Sequence, residues 1–175
     1  MKAAGVESEL ERMHPANFSW ALWCCDHRRD EAEEVLQSAY LKVLEGSARF
    51  GGESSLKTWF FAVIRRTAAE RRRRRWMRGQ LLERWFIARP ETTAKPDPES
   101  AACTSETSRV LLEALARLSA RQREVLHLVF YQEMTIEEAA QVLHIPLGTA
   151  RTHFQRGKRR LRQILADRER LEEIP

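Results

Sequence analysis

From Asp30 onward the apolar residues recur at helical intervals. Ala32, Val35, Leu36, Ala39 and Val43 share one face of a helix, and Glu34, Gln37 and Leu41 form a stripe turned away from it. Leu41 is thus an apolar side chain pointing outward, which on a single leucine is common and decides nothing. The stretch Ser47 to Lys57 holds Gly51, Gly52, Ser54 and Ser55 and breaks the period, which predicts a loop whose backbone can approach a ligand closely. Trp59, Phe60 and Val63 then resume a core spacing, so Trp59 reads first as core and only second as a contact residue. The helix they open is expected to end in Arg65, Arg66 and the run Arg71 to Arg75.

A second periodic block starts at Thr135. Thr135 and Glu138 form the S/T-x-x-E capping box that begins a helix, with Ile136, Ala139, Ala140 and Leu143 as its buried stripe. That helix must stop near His144, because Pro146 cannot continue it; proline suits the start of a new helix, predicted from Leu147 or Gly148 to Leu165. The pattern is a helix-turn-helix. On the second helix Ala150, Phe154, Gly157, Leu161, Ile164 and Leu165 fall on one side and make a core face. Arg151, Thr152, Gln155, Arg156, Arg159, Arg162 and Gln163 fall opposite. Arginine pairs bidentately with guanine, glutamine with adenine, and a helix N-terminus favours phosphate, so the first turns, Gly148 and Thr149 included, suit a DNA major groove. The competing reading of this face is a solvated basic surface.

Between the blocks, Arg89 to Ser108 gathers Pro90, Pro96 and Pro98 among small polar residues without apolar period, which predicts a linker. No strand-like alternation occurs on either side, so the fold expected is all-α, two small helical domains joined by a flexible acidic linker. The chain has 175 residues, enough for one ordinary domain or two small ones. Residues 1–89 carry 17 basic and 12 acidic side chains and residues 109–175 carry 12 and 9, so a polyanionic partner would touch both halves. No run of 18 apolar residues exists and the N-terminus lacks a signal peptide's apolar stretch, which predicts a cytoplasmic protein without membrane insertion.

Candidates for chemistry are thin. Cys24, Cys25 and Cys103 are too few for a disulfide framework and are expected reduced; with His27 or His14 they lack zinc-site spacing. No phosphate loop, carboxylate pair or nucleophile motif is present, so no catalytic residue, metal or cofactor is expected.

The segment LEALARLSARQREVLHLVFYQEMTIEEAAQVLHIPLGTARTHFQRGKRRLRQIL resembles region 4 of a bacterial extracytoplasmic-function (ECF) sigma factor, the domain that reads the −35 promoter element. DEAEEVLQSAYLKVL resembles region 2.2 of the same family, and RFGGESSLKTWFFAVIRRTAAERRRRR resembles regions 2.3 and 2.4, which open and read the −10 element. The resemblance implies a region 2-like domain at 13–88, a linker at 89–108 and a region 4-like domain at 109–166. It implies that Glu33, Glu34, Gln37 and Leu41 dock the β′ coiled coil of core RNA polymerase, and that the second domain meets the β flap. It implies that the loop captures a base flipped from the −10 element, with Phe50 as pocket wall, Glu53, Ser54 and Ser55 as polar partners, and Arg65 and Arg66 on the adjoining DNA. An anti-sigma factor is a further implied partner.

Two positions depart from the family. ECF proteins usually carry Asn seven residues after the Trp of the TW pair, where this chain has Arg66, so the usual −10 preference does not transfer. The turn commonly holds Gly where this chain has His144, and a left-handed conformation there costs a non-glycine residue roughly 1 kcal/mol. Two other classes stay open: a conventional helix-turn-helix repressor or activator, which leaves the 30–75 block idle, and a metal- or redox-responsive regulator built on Cys24 and Cys25.

Overall fold

The structure, a computed structural model, describes residues 3–85 and 106–172. Residues 89–105 of the segment read as a linker, Cys103 among them, lie outside the described residues. The described residues form eight α-helices and no strand. None of these helices is long and apolar enough to cross a membrane. The chain divides into two compact units, 1–97 and 98–175.

In the first unit α1 (Ala3–Arg12) lies against α2 (His14–Cys24) and α4 (Leu56–Trp85), and α2, α3 (Arg29–Leu44) and α4 pack mutually. The seam is aromatic. Trp20 is fully buried, stacks on Phe61 at 5.7 Å and donates its indole N–H to the Phe61 carbonyl at 3.0 Å, which satisfies the one polar atom that its burial would otherwise strand. Ala32, Val35, Leu36 and Ala39 of α3 face this seam, as their spacing predicts. Val6 and Leu10 bring α1 into the same core, and Asn17 ties it there by donating to the Leu10 carbonyl (3.1 Å) and to the Tyr40 hydroxyl (3.2 Å).

Two details of α4 differ from the expectation. Phe60, Phe61 and Ile64 are its fully buried apolar residues, whereas Trp59 and Val63 are only half-buried. The helix also does not end in the arginine run but continues through it to Trp85, 30 residues from its start at Leu56, about 45 Å. Self-repulsion within the run is relieved by carboxylates of α3: Arg71 pairs with Glu34 and Arg75 with Glu31, while Lys42 reaches Glu70 at 2.7 Å and Thr67 at 3.1 Å. These pairs lace α3 and α4 antiparallel.

The second unit contains α5 (Glu106–Ala116), α6 (Ala120–Leu126), α7 (Ile136–Leu143) and α8 (Leu147–Glu172); α6 runs on into a π-helical turn, His127–Tyr131. The short helices are fixed by reciprocal capping boxes, Ser119 with Gln122 on α6 and Thr135 with Glu138 on α7. Ala114, Leu118, Leu126 and Ile164 form a core with Leu115, Phe154, Leu161 and Leu165 packed against it. Ala139, Ala140, Val142 and Leu143 are the buried residues of α7, with Ile136 half-buried. At Gly157 α8 comes so close to α6 that a Cβ would lie 3.1 Å from Leu126 Cδ1.

Candidate promoter and polymerase interfaces

The turn between α7 and α8 is made by His144, at φ 51°, ψ 49°. This is the left-handed conformation the turn demands, and histidine is among the residues that adopt it at modest cost. The Ile145 N–H then bonds the Ala140 carbonyl at 3.1 Å, and α8 begins one residue after Pro146. Ala150, Gly157 and Ile164 are buried, and Phe154, Leu161 and Leu165 are half-buried. The opposite side presents Gly148, Thr149, Arg151, Thr152, Gln155, Arg156, Arg159, Arg162 and Gln163, every one of them exposed. The two-faced pattern therefore holds along α8, which extends beyond Leu165 to Glu172.

Arg151 does not stand alone on this face. Its Nη2 donates to Glu137 Oε1 of α7 at 2.9 Å, a partner that the periodicity of α8 does not reveal. The Glu137 backbone N–H and then the Arg151 guanidinium hold the Glu137 carboxyl below the usual carboxylate range. One of Arg151's five guanidinium donors is thereby engaged by α7. Thr152 Oγ1 donates to the Gly148 carbonyl at 2.9 Å.

In the first unit, Phe50 and Trp59 bring their rings to 5.4 Å at a 56° tilt, so the half-buried Trp59 joins Phe50 in one aromatic wall beside the loop. Glu53 is exposed and Ser54 half-buried, with Ser54 Oγ donating to the Ser55 carbonyl at 3.3 Å. Ser55 caps α4: its hydroxyl accepts the Thr58 N–H at 3.1 Å and lies 2.8 Å from the Thr58 hydroxyl. Gly52, at φ 78°, takes a left-handed backbone conformation in the loop that glycine adopts without strain. Arg65 is half-buried and Arg66 exposed, one turn and more along α4 from Trp59.

On α3, Glu33, Glu34 and Gln37 are exposed and Leu41 is 46% exposed, with Leu44 open beside it. Glu33 pairs with Arg29 at 2.9 Å, and Glu34 with Arg71. Cys24 is half-buried; Cys25 is buried, and desolvation, then the Glu31 charge, pushes its thiol up to about 11. Among the described residues no three His, Cys, Asp or Glu side chains gather as a metal ion would need.

Comparison with known proteins bears on both units. The family model for Sigma-70 region 2 matches residues 10–78, and that for Sigma-70, region 4 matches residues 108–161. The chain is 28% identical to RNA polymerase sigma factor YlaC of Bacillus subtilis, over 93% of this chain and 94% of that protein. It is 30% identical to ECF RNA polymerase sigma factor SigX of the same organism, over 77% of this chain and 71% of the relative. Among solved structures it is similar to sigma factor RpoE of Bartonella quintana in complex with the anti-sigma factor NepR: TM-score 0.66, 25% identity, 91% of this chain and 96% of that one. It shares its fold with CnrH in complex with the cytosolic domain of CnrY, at TM-score 0.61 and 16% identity over 94% and 95% of the two chains.

Proposed function

Since the chain belongs to the ECF RNA polymerase sigma factors, we propose a division of its residues between promoter and polymerase. It is a promoter-specificity subunit: it binds core RNA polymerase and directs initiation from −35 and −10 elements, and the polymerase, not this chain, performs the nucleotide chemistry. The region 4 unit, residues 109–166, reads the −35 element through Arg151, Thr152, Gln155, Arg156 and Arg159, with Gly148 and Thr149 at the phosphate-facing helix start. The observation that carries this assignment is the unbroken exposure of those side chains opposite a packed face.

The region 2 unit, residues 13–88, takes the −10 element. Extruding a base costs a few kcal/mol, which stacking must offset. The Phe50–Trp59 wall supplies an aromatic surface for that, with Glu53 and Ser54 at its polar edge, Ser55 holding the loop to α4, and Arg65 and Arg66 on the following DNA. Glu33, Glu34, Gln37 and Leu41 dock the β′ coiled coil, and the β flap meets the region 4 unit. The protein works in the cytoplasm, beside its polymerase. An anti-sigma factor is a further partner, a reading supported by the complex of the Bartonella quintana relative with NepR.

Run-off transcription with purified core polymerase tests this, scored against promoters altered singly at −35 and −10. Arg151→Ala or Arg156→Ala should relax preference at a −35 base, since a bidentate contact is worth about 1–3 kcal/mol of discrimination. Phe50→Ala should weaken binding to a single-stranded non-template −10 segment. Tight, sequence-specific binding to promoter duplex without polymerase would instead favour the conventional regulator.

A further inference from the structure

Asn17 is fully buried, and its amide bridges two neighbouring helices at once. Its Nδ2 lies 3.1 Å from the Leu10 carbonyl, which can only accept, so the nitrogen of the amide and not the oxygen faces α1. That carbonyl belongs to the last turn of α1, where a helix has no partner of its own to offer. The same Nδ2 lies 3.2 Å from the Tyr40 hydroxyl of α3, and His14 Nδ1 also lies 3.2 Å from that hydroxyl. Burial first of all pushes the Tyr40 hydroxyl above its ordinary range, so it keeps its proton. With Asn17 donating to it, the hydroxyl has that one proton to place, and His14 Nδ1 is the acceptor within reach. The donors therefore run in one direction, Asn17 to Tyr40 to His14, and the chain closes only on an imidazole whose Nδ1 is free of a proton. Asn17 Oδ1 is buried as well, and finds no hydrogen-bond partner among the described residues.

We propose that His14 is a proton-operated latch on α1: the neutral imidazole keeps Asn17 bonded to Leu10, and the imidazolium releases it. A proton on Nδ1 turns the exposed imidazole from acceptor to donor and points it at a hydroxyl that is already donating. The Tyr40 ring is held in place by its stack on the fully buried Phe60 at 5.1 Å, so only the hydroxyl proton can turn. The acceptor that the cluster holds in reserve is Asn17 Oδ1, which the amide presents by turning over. Turning over also brings Oδ1 against the Leu10 carbonyl, oxygen to oxygen, and the bond that ties α1 becomes a repulsion. Since α1 enters the core through two apolar side chains, Val6 and Leu10, the loss of this bond weighs heavily on it. Docking thus excludes a proton, and by linkage it weakens as pH falls through the range in which histidines titrate, about 5 to 8. The charges around the cluster are Glu11 of α1, which acts on Tyr40, and Arg29 of α3 with its partner Glu33; Arg29 lies 5.7 Å over Phe18, the ring on which His14 stacks. From α4 comes the apolar Phe60. Glu11 and Arg29 act on an imidazolium with opposite sign, which leaves the direction to the hydrogen bonds.

Amide hydrogen exchange of the full chain tests the latch, read as protection factors for peptides of α1 and α3 at about pH 7.5 and about pH 5.5. In wild type the α1 peptide should lose about tenfold in protection at the lower pH, the size expected when one buried polar group is stranded, while α3 keeps its own. His14→Asn offers Tyr40 an acceptor that does not titrate, and should hold α1 equally at both values. Tyr40→Phe removes the relay but keeps the ring stack and the Asn17 bond to Leu10, so there too α1 should become insensitive to pH. Equal α1 protection at both values in wild type would overturn the latch. So would a loss that persists in either variant, which would assign it to another titrating group such as the Glu11 carboxylate. A loss of equal size in α1 and α3 would overturn it as well, marking a general weakening of the unit in acid.

Discussion

Gly157 offers a substitution whose sign follows from two opposed terms. Gly157→Ala gains about 0.8–1 kcal/mol of helix propensity in the middle of α8. Against this, the new Cβ would lie 3.1 Å from Leu126 Cδ1, 3.2 Å from Gln122 Cβ and 3.4 Å from Leu126 Cγ. The Gln122 Cβ cannot yield alone: its residue is held through backbone and side chain by the capping box with Ser119. Leu126 is buried in the core under α8. Room for the methyl therefore requires moving α6 itself, and overpacking of that kind costs about 1–3 kcal/mol. The expected outcome is a net loss of about 1 kcal/mol, or about 4–8 °C in the unfolding midpoint of a unit this size. Circular dichroism melts of the full chain would measure it. A double-mutant cycle with Leu126→Ala isolates the clash: Leu126→Ala alone costs about 2–5 kcal/mol, and the pair should cost less than the sum by at least about 0.5 kcal/mol. A Gly157→Ala protein at least as stable as wild type, with additive Leu126→Ala, would refute the close-approach argument.

If Arg151 reads a −35 base as proposed, Glu137→Gln should relax the preference at that base while raising affinity for nonspecific duplex, because a carboxylate beside Arg151 is removed; a promoter library scored in both backgrounds shows whether the effect requires Arg151. Leu41→Asp should impair core polymerase binding with helical content unchanged, and a melted protein would place Leu41 in the core instead. The Lys42 hydrogen bond holds the Glu70 carboxyl below its ordinary range, so the unfolded chain takes up that proton first as pH falls; stability should drop on acidification through the carboxylate range, and Glu70→Gln should flatten that part of the slope. With its thiol at about 11, Cys25 should alkylate at pH 8 more than tenfold more slowly in the native protein than in denaturant, as peptide mass mapping would show.

What can be read from the sequence is local. The Thr135–Glu138 box, the stop at His144 and the two faces of α8 each depend on residues within a few positions of one another, so propensity and period suffice. The length of α4 depends on charges far away in the chain: Glu31 and Glu34 answer Arg75 and Arg71 only once α3 and α4 lie antiparallel, and no short window along the sequence holds both partners. The same reason hides Glu137 beside Arg151, which sit across the turn. Trp59 is less buried than its spacing predicts because the buried arc of α4 runs through Phe60, Phe61 and Ile64, and Trp59 lies about 100° from Phe60 on the side away from Phe61. The packing of α1 gives little signal because two apolar residues, Val6 and Leu10, make too short a period to announce a helix.

The separation of faces on α8 bears on how such a protein can change over generations. Substitutions at exposed positions away from special features usually move stability by no more than about 0.5 kcal/mol. The residues proposed above to face the groove, between Gly148 and Gln163, are all exposed, while the constraints on shape gather at Ala150, Gly157 and Ile164 on the other side. On the proposed −35 assignment, drift among the first set would redirect the protein to new promoters at little risk to its folding. On that assignment a duplicated copy of this chain would have a short mutational path to a different set of target genes, with Arg151, bonded to Glu137 of α7, the position where that path meets resistance.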